Sequence, residues 1–545
     1  MRRRYNHELF GPAGTPQVVV VGGGFGGIAA GVKLKQAGID TFTIFERSEA
    51  PGGTWWDNHY PGAEVDVASH LYSYSFMDYD WSRTHVRQPE LQRYLEDVVD
   101  RFGLRPHFRF KTAVRSAVWD DLAHHYTVRL DGGEELTAHV VITALGLLNE
   151  PRYPDWPGLE DFAGPKFHTA RWEHQHDLAG KTVAVVGTGS TSAQVVPTIA
   201  PEVGRLYVFQ REPGWVTPKG DRDYTPEERA AFTRPFARRI ERTKQFARLE
   251  KLQFRGAIHR PGTKANTRLR ELNLKYLRAV LKDRPDLVEA LTPDYPFPGK
   301  RPVITSAYFP ALLRENVELV PRAVTRVTST GVVDSEGVER PVDVLVMATG
   351  FQPTNFLASM EVVGRDGRTL HEVWDGEPAA FLGLTVPGFP NFFMLYGPNT
   401  NGGEIVHHLE WQADYALRAI RRMVREGVTS VEVRRGASDL YNRWIQRRLR
   451  GTAWTESNNY YKTPSGRIVT QWPDGALLYG FLTKILGRLS ERTVRRPARG
   501  VAEDMSPAPL VDGVTSVNGR QTVVAAARQD GVGMSSSQRN RRPAK

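Results

Sequence analysis

Two glycine-rich turns, each set between an unbroken apolar run and a helical run, constrain this chain more than any other feature. Val18–Val21 is continuous, β-branched and apolar, the composition of a parallel strand covered on both faces. Gly22, Gly24 and Gly27 follow in G-x-G-x-x-G spacing, and residues 28–36 then read as a helix stopped by Gly38. Such a turn lets backbone pass close to a pyrophosphate held at the helix N-terminus, and the third glycine lets the helix pack closely on the strand. Thr182–Val186 repeats the pattern with Gly187, Gly189 and, in the third position, Ser192, which is still small enough for close packing. The expected fold is α/β, with two Rossmann-like dinucleotide-binding domains.

The residues beyond each turn distinguish the two sites. The next strand of the first unit, residues 41–45, ends in Glu46, a carboxylate placed to accept hydrogen bonds from ribose hydroxyls. In the second unit residues 206–209 lead through Gln210 to Arg211, at the same offset from Gly187 as Glu46 from Gly22; an arginine there accommodates a 2′-phosphate. The first site therefore reads as FAD-binding and the second as NADPH-binding. After Glu46, Gly52, Gly53, Pro61 and Gly62 bend the chain, while Trp55, Trp56, Tyr60, Tyr72, Tyr74 and Phe76 supply flat surface, so Gly53 and Trp55 are candidate cofactor contacts. Asp66 lies in this loop and either orients a cation near the ring system or caps a short helix at residues 67–71. Residues 113–130 and 138–144 are strand-rich and are expected to return to the sheet.

Composition narrows the chemistry. The sequence contains no cysteine, which excludes disulfide frameworks, thiolate metal sites and Cys-x-x-Cys relays, so electron transfer requires a bound cofactor; no metal site is expected. The net charge of +11 is spread along the chain, concentrating in a helical middle and a C-terminal tail, and suits anionic cofactors without any nucleic-acid motif to support that partner. No run of about 18 apolar residues occurs and the N-terminus has no apolar segment behind its charges, so a soluble, cytoplasmic protein without a transmembrane segment is expected.

Between the two turns stands FAGPKFHTARW, residues 162–172. With Phe162, Gly164, His168 and Trp172 at F-x-G-x-x-x-H-x-x-x-W spacing, the chain resembles the type I Baeyer–Villiger monooxygenases; Glu173 departs from the Pro or Asp that closes their fingerprint. A second signature of that family, G-G-x-W-x-x-x-x-[FY]-P-G-x-x-x-D, is complete from Gly52 to Asp66. The likeness extends to the ATG-like turn ending at Gly350, while the corresponding first turn reads Ala144-Leu145-Gly146. The resemblance implies an enzyme that uses FAD, NADPH and O2 to convert a ketone into an ester or lactone through a flavin C4a-peroxide. It implies that His168 links the two nucleotide domains and supports NADPH handling, and that Arg301 of Lys300-Arg301-Pro302 is the catalytic arginine. Arg301 would stabilise the peroxide and then the oxyanion of the ketone adduct, with Asp66 holding it, while Lys300 joins Arg211 at the 2′-phosphate. Asn399, in NFFMLYGPNTNGG, resembles part of the flavin-side strand and turn.

The expected organisation is an FAD-binding domain in two parts, 1–150 and 386–488, and an NADPH-binding domain in two parts, 151–221 and 299–385. Residues 222–298 read as a basic helical insert, and 489–545, rich in Arg, Ser, Gly and Pro, as a disordered tail. Residues 455–475 occupy the place of a mobile substrate loop. Two other readings are a flavin monooxygenase acting on nitrogen or sulfur, which Trp172 and an Asp66–Arg301 pair argue against, and a non-catalytic flavin and NADPH sensor. The identity of the ketone and the oligomeric state are not encoded in these motifs.

Overall fold

Both unbroken apolar runs become the central strand of a parallel sheet in the computed structural model, which describes residues 2–495. In the first sheet the order is Phe392–Met394, Val140–Thr143, Val18–Val21, Phe42–Phe45 and Phe108–Arg109, all parallel. In the second it is Val317–Val320, Arg205–Phe209, Thr182–Val186, Val344–Met347 and Lys166–His168, again all parallel. Parallel strands need cover on both faces, and each sheet obtains it in the same way.

Val18 and Val20 pack into a core shared with Ile28 and Ala413, from the helices Phe25–Gln36 and Ile405–Glu426. Val19 and Val21 point the other way, against Ala117 and Val128 of a four-stranded sheet. In the second unit Val183 and Val185 meet Ala193 and Val196 of the helix Ser192–Ile199, whereas Ala184 and Val186 meet Val324 and Val332 of a three-stranded antiparallel sheet. Each buried valine contributes roughly 1.5–3 kcal/mol, so a polar residue in either run would be costly. The parallel order also places both glycine turns at the carboxyl edges of their sheets, where open α/β sheets bind ligands.

Three expectations change. Residues 113–130 do not return to the first sheet: Val114–Asp120 and His125–Leu130 form a hairpin in the separate four-stranded sheet, and of the two segments only 138–144 returns, its strand Val140–Thr143 pairing with Val18–Val21. The strand Val114–Asp120 alternates between buried and exposed positions, the pattern of a one-sided sheet rather than a buried central strand. No helix forms at residues 67–71, which run through bends and turns. The tail boundary also moves, because Glu491–Val494 pairs antiparallel with Ser430–Val433; the expected tail from residue 496 onward lies outside the described residues.

The basic middle comprises the helices Pro226–Phe232, Pro235–Gln253, Lys264–Val280 and Pro285–Leu291. Its second half contributes Leu277, Leu281, Leu287 and Leu291 to the core of the second sheet. The helix Pro235–Gln253 buries no residue fully; Arg242 ties it to the first unit through the carbonyls of His70 and Ser73. No helix of the described residues is long and apolar enough to cross a membrane.

Candidate functional site

The first glycine turn is pinned from behind by a buried carboxylate. Glu46 Oε2 accepts the Gly23 N–H at 2.6 Å and Oε1 accepts the Ser48 N–H at 2.8 Å, while the Gly22 N–H donates to the Phe45 carbonyl at 2.8 Å. A Cβ on Gly27 would collide with the Gly22 carbonyl oxygen, so the turn tightens onto its helix only because that side chain is absent. Gly53, at φ +57°, brings its backbone against Gly24, where an added Cβ would lie 2.9 Å from the Gly24 Cα. Trp55 follows in a single helical turn, its indole N–H donating to the Tyr72 hydroxyl at 3.2 Å. The result is a cradle of backbone with flat aromatic rings beside it, which fits a flavin dinucleotide.

The second turn is built alike and charged differently. The Gly187 N–H donates to the Phe209 carbonyl at 3.0 Å, Gly189 has open space where a side chain would stand, and Ser192 is fully buried at the start of its helix. Arg211 is exposed just beyond the strand, and Lys300 lies near it in an ion pair with Glu212 and 4.8 Å over the Tyr295 ring. Burial, and then the Arg211 charge, hold the Lys300 ammonium below its ordinary value. Two like charges held near each other fit a polyanion such as a 2′-phosphate, which relieves their repulsion.

Asp66 and Arg301 meet. Arg301 Nη2 lies 2.7 Å from Asp66 Oδ2, joining segments 235 residues apart. Burial pushes the Asp66 carboxyl up, but the Arg301 charge and hydrogen bond, with Lys219 behind them, outweigh it and hold the group below the ordinary carboxylate range. Asp66 in turn raises the Arg301 guanidinium further. The arginine sits among many protein atoms, yet 41% of its side chain is accessible. It therefore lines a cleft instead of packing into a core.

Both partners are held from behind. The Val65 N–H donates to Val86, and the buried Lys219 reaches the Val65 carbonyl at 2.6 Å and Glu64 at 2.8 Å. Lys219 and Arg301 each lie two residues from a small ladder in which Val216–Thr217 pairs with Val303–Ile304, and Ser306 Oγ bonds both the N–H and the carbonyl of Lys219. Asn459 donates to the Gly299 carbonyl at 3.0 Å, so the 455–475 segment clamps the other side. Gly299 has no room for a side chain there, since a Cβ would collide with Ser457. Neither Lys219 nor Asn459 carries a signal in the sequence; a lysine in VTPKGD and one asparagine of SNNYYK look like loop surface until the segments come together.

His168 ends the edge strand Lys166–His168 and is buried. Its Nδ1 accepts the Ala170 N–H at 3.1 Å, which leaves Nε2–H to donate to the Gly350 carbonyl at 3.1 Å. Burial lowers its value to about 4, so the ring is neutral. It fixes the turn after Val344–Met347 and does not reach the Asp66–Arg301 pair by any hydrogen bond. Asn399 also stands apart: its buried amide donates to the carbonyls of Ile468 and Gln471, at 3.0 and 3.1 Å, holding two chain segments together. Trp172 packs edge-on against Phe167, 5.0 Å between ring centroids, in the core of the second sheet.

The site can be compared with known proteins. The family model for pyridine nucleotide-disulphide oxidoreductases matches residues 19–230. A Baeyer-Villiger monooxygenase of Streptomyces coelicolor is 39% identical over 489 residues, covering 88% of this chain and 93% of the relative. A closed crystal structure of cyclohexanone monooxygenase aligns with a TM-score of 0.81 at 33% identity, over 88% of this chain and 99% of that one. A crystal structure of OTEMO in complex with FAD and NADP aligns at 0.78 and 28% identity, over the same shares. With identity of this order across nearly the whole of the relative, the chain belongs to the Baeyer–Villiger monooxygenase family.

Proposed function

We propose that this chain holds FAD against the Gly22 turn and NADPH against the Gly187 turn, and inserts one oxygen atom of O2 beside a ketone carbonyl to give an ester or lactone. The reaction consumes ketone, O2, NADPH and a proton, and yields the ester, NADP+ and water. The observation that carries this reading is the Asp66–Arg301 ion pair, formed between a loop of the first unit and a ladder anchored on the second. When bound, FAD supplies the oxygen-activating chemistry and NADPH the hydride that reduces it.

The protein's own contribution is charge, orientation and exclusion of water. Arg301 is a permanent cation with one donor anchored on Asp66, and its remaining N–H groups are available to an oxygen that gains negative charge at the ketone carbon. Because Lys219 and Glu64 already hold the Asp66 segment, the guanidinium need not reorganise when that charge develops. Glu46 would bind ribose hydroxyls, and Gly53 and Trp55 the ring system. Arg211 and Lys300 would hold the 2′-phosphate, with Glu212 competing for Lys300. His168 is a positioning residue that keeps the Gly350 turn in place. Asn399 acts at one remove, by fixing the 468–471 segment. The enzyme works in this reading in the cytoplasm, where NADPH is supplied, on a ketone; cyclohexanone is the natural first substrate to test.

The test is product mass with NADPH and a panel of cyclic, aromatic and linear ketones, beside Arg301→Ala. Ester or lactone from the native enzyme is expected, with kcat lowered about 10²–10³-fold in the variant while NADPH still reduces the flavin. Hydrogen peroxide alone from every ketone, together with sulfoxide from a thioether, would move the assignment to heteroatom oxygenation. Peroxide with no oxygenated product at all would favour a sensor.

A further inference from the structure

The helix Ala476–Ser490 is apolar on both sides, with its outer face as well as its inner one carrying large apolar side chains. Ala476, Tyr479, Thr483, Gly487 and Ser490 are its buried positions, and Leu482 and Leu486 are half-buried against the same core. Trp411 and Tyr415 of the neighbouring helix Ile405–Glu426 fill the interface. A Cβ on Gly480 would come 3.0 Å from the Trp411 ring, and one on Gly487 would come 2.7 Å from Tyr415. The remaining large apolar side chains point outward, with Leu477 58% exposed, Phe481 59%, Ile485 43% and Leu489 69%. At helical spacing these four, with Leu478, share one arc. Lys484 and Arg488 border it, Arg488 82% exposed with Glu426 of the neighbouring helix 3.9 Å away, and the helix itself contains no acid.

The neighbouring surface has the same character. Glu250, near the end of the helix Pro235–Gln253, accepts the N–H groups of Ala476 and Leu477 at 2.6 and 3.3 Å, so the two helices meet at that corner. Its own carboxylate is spent on this cap. Beyond it the chain runs Lys251, Leu252, Gln253, Phe254, Arg255, where Lys251, Leu252, Phe254 and Arg255 are exposed, Phe254 by 67%, and no acid occurs before Glu271.

We propose that this face, the outward arc of Ala476–Ser490 with the adjoining 251–255 corner, seats the enzyme on an anionic lipid surface. Leucine and phenylalanine enter the headgroup boundary, and Lys484, Arg488, Lys251 and Arg255 meet the lipid phosphates and carboxylates. Charge decides between the occupants. A second copy docked on this face about a two-fold axis would set cation against cation, since each copy brings the same patch. Residues 496–545 carry eight Lys or Arg and four Asp or Glu, a net positive segment that this patch repels. A bilayer rich in phosphatidylglycerol offers the opposite sign together with an apolar interior.

The experiment is co-sedimentation of the full-length, flavin-loaded protein with vesicles of neutral phosphatidylcholine, and with vesicles carrying about a third phosphatidylglycerol. The variant is Phe481→Asp with Leu489→Asp, two exposed positions outside the residues assigned to cofactor or substrate. Expected is binding to the anionic vesicles at least tenfold stronger than to neutral ones, weakened by 0.5 M salt. The variant should lose it at least tenfold while keeping native flavin content, melting temperature and ketone turnover. Equal sedimentation with both vesicle types would overturn the role of the cations. Absence of sedimentation from the full chain would overturn the proposal outright. A dimer broken by the variant would then assign the face to a second copy, and binding gained only after removal of residues 496–545 would assign it to that segment.

Discussion

The two nucleotide turns share their spacing and strand order, yet the residues that distinguish them are held in opposite ways. Glu46 is buried, and both its oxygens bond the backbone of its own turn and the segment after it. Arg211 is exposed, and its partner Lys300 is held only through Glu212 and the Tyr295 ring. In the proposed function the difference follows from the group that each would recognise. A carboxylate that accepts from hydroxyls gains by being fixed in position, because hydrogen bonds are directional. Cations that meet a phosphate act largely through charge, tolerate motion, and cost less if they remain solvated. In that reading the first site is integral to its domain, and the second is a surface that the cofactor would complete.

That contrast can be broken most strongly at Glu46. Glu46→Ala strands two backbone N–H groups, at a cost of about 1–3 kcal/mol each, so flavin affinity should fall on the order of a hundredfold, with a lower melting temperature; flavin absorbance of the purified protein measures it. The corresponding change at the second turn, Arg211→Ala, should leave folding and flavin content intact. Its effect should be to reduce the preference for NADPH over NADH about tenfold to thirtyfold, as for loss of a charged hydrogen bond. A drop in flavin content in that variant would show the second site to be as integral as the first.

Smaller changes sharpen the comparison. Glu212→Gln removes the competitor from Lys300 and should lower the KM for NADPH by a few-fold, roughly the worth of an exposed ion pair, without moving the KM for NADH. The joint between the sites responds to acid. Because burial depresses His168 to about 4, the unfolded chain takes up the proton first as pH falls below about 6.5. The stability this residue contributes is complete above that pH and is lost progressively down to about 4. His168→Gln keeps a donor for the Gly350 carbonyl but does not titrate. Its melting temperature should fall less between pH 7.5 and 5 than that of the native protein, a difference worth up to about 2 kcal/mol. Parallel curves for the two proteins would mean that His168 does not carry the acid sensitivity.

Much of the site was legible because the features that encode it are local. A glycine turn, the strand before it and the residue ending the next strand lie within one stretch of chain, and their spacing follows from backbone geometry. The same holds for 162–172, where His168 ends a strand and Trp172 faces the core beside Phe167. The misread segments have equally physical causes. Residues 114–130 have strand composition in either sheet, and only their alternating burial, a property of the neighbours, separates them from the parallel sheet. Glu491–Val494 looked like tail because ERTV is polar, yet it pairs with the buried strand Ser430–Val433 through backbone groups that every sequence possesses.

The sequence by itself determined the two dinucleotide-binding units, their order and the opposite charges at their second strands, because turn geometry and continuous burial impose residue types at short range. Only the tertiary structure decided that Asp66 meets Arg301, that Lys219 and Asn459 hold the segments carrying them, and that Ala476–Ser490 turns Leu477, Phe481 and Leu489 outward. Those outcomes depend on distant segments sharing space, and the energy of an ion pair between them or of an aromatic filling an interface exists only once those segments have come together.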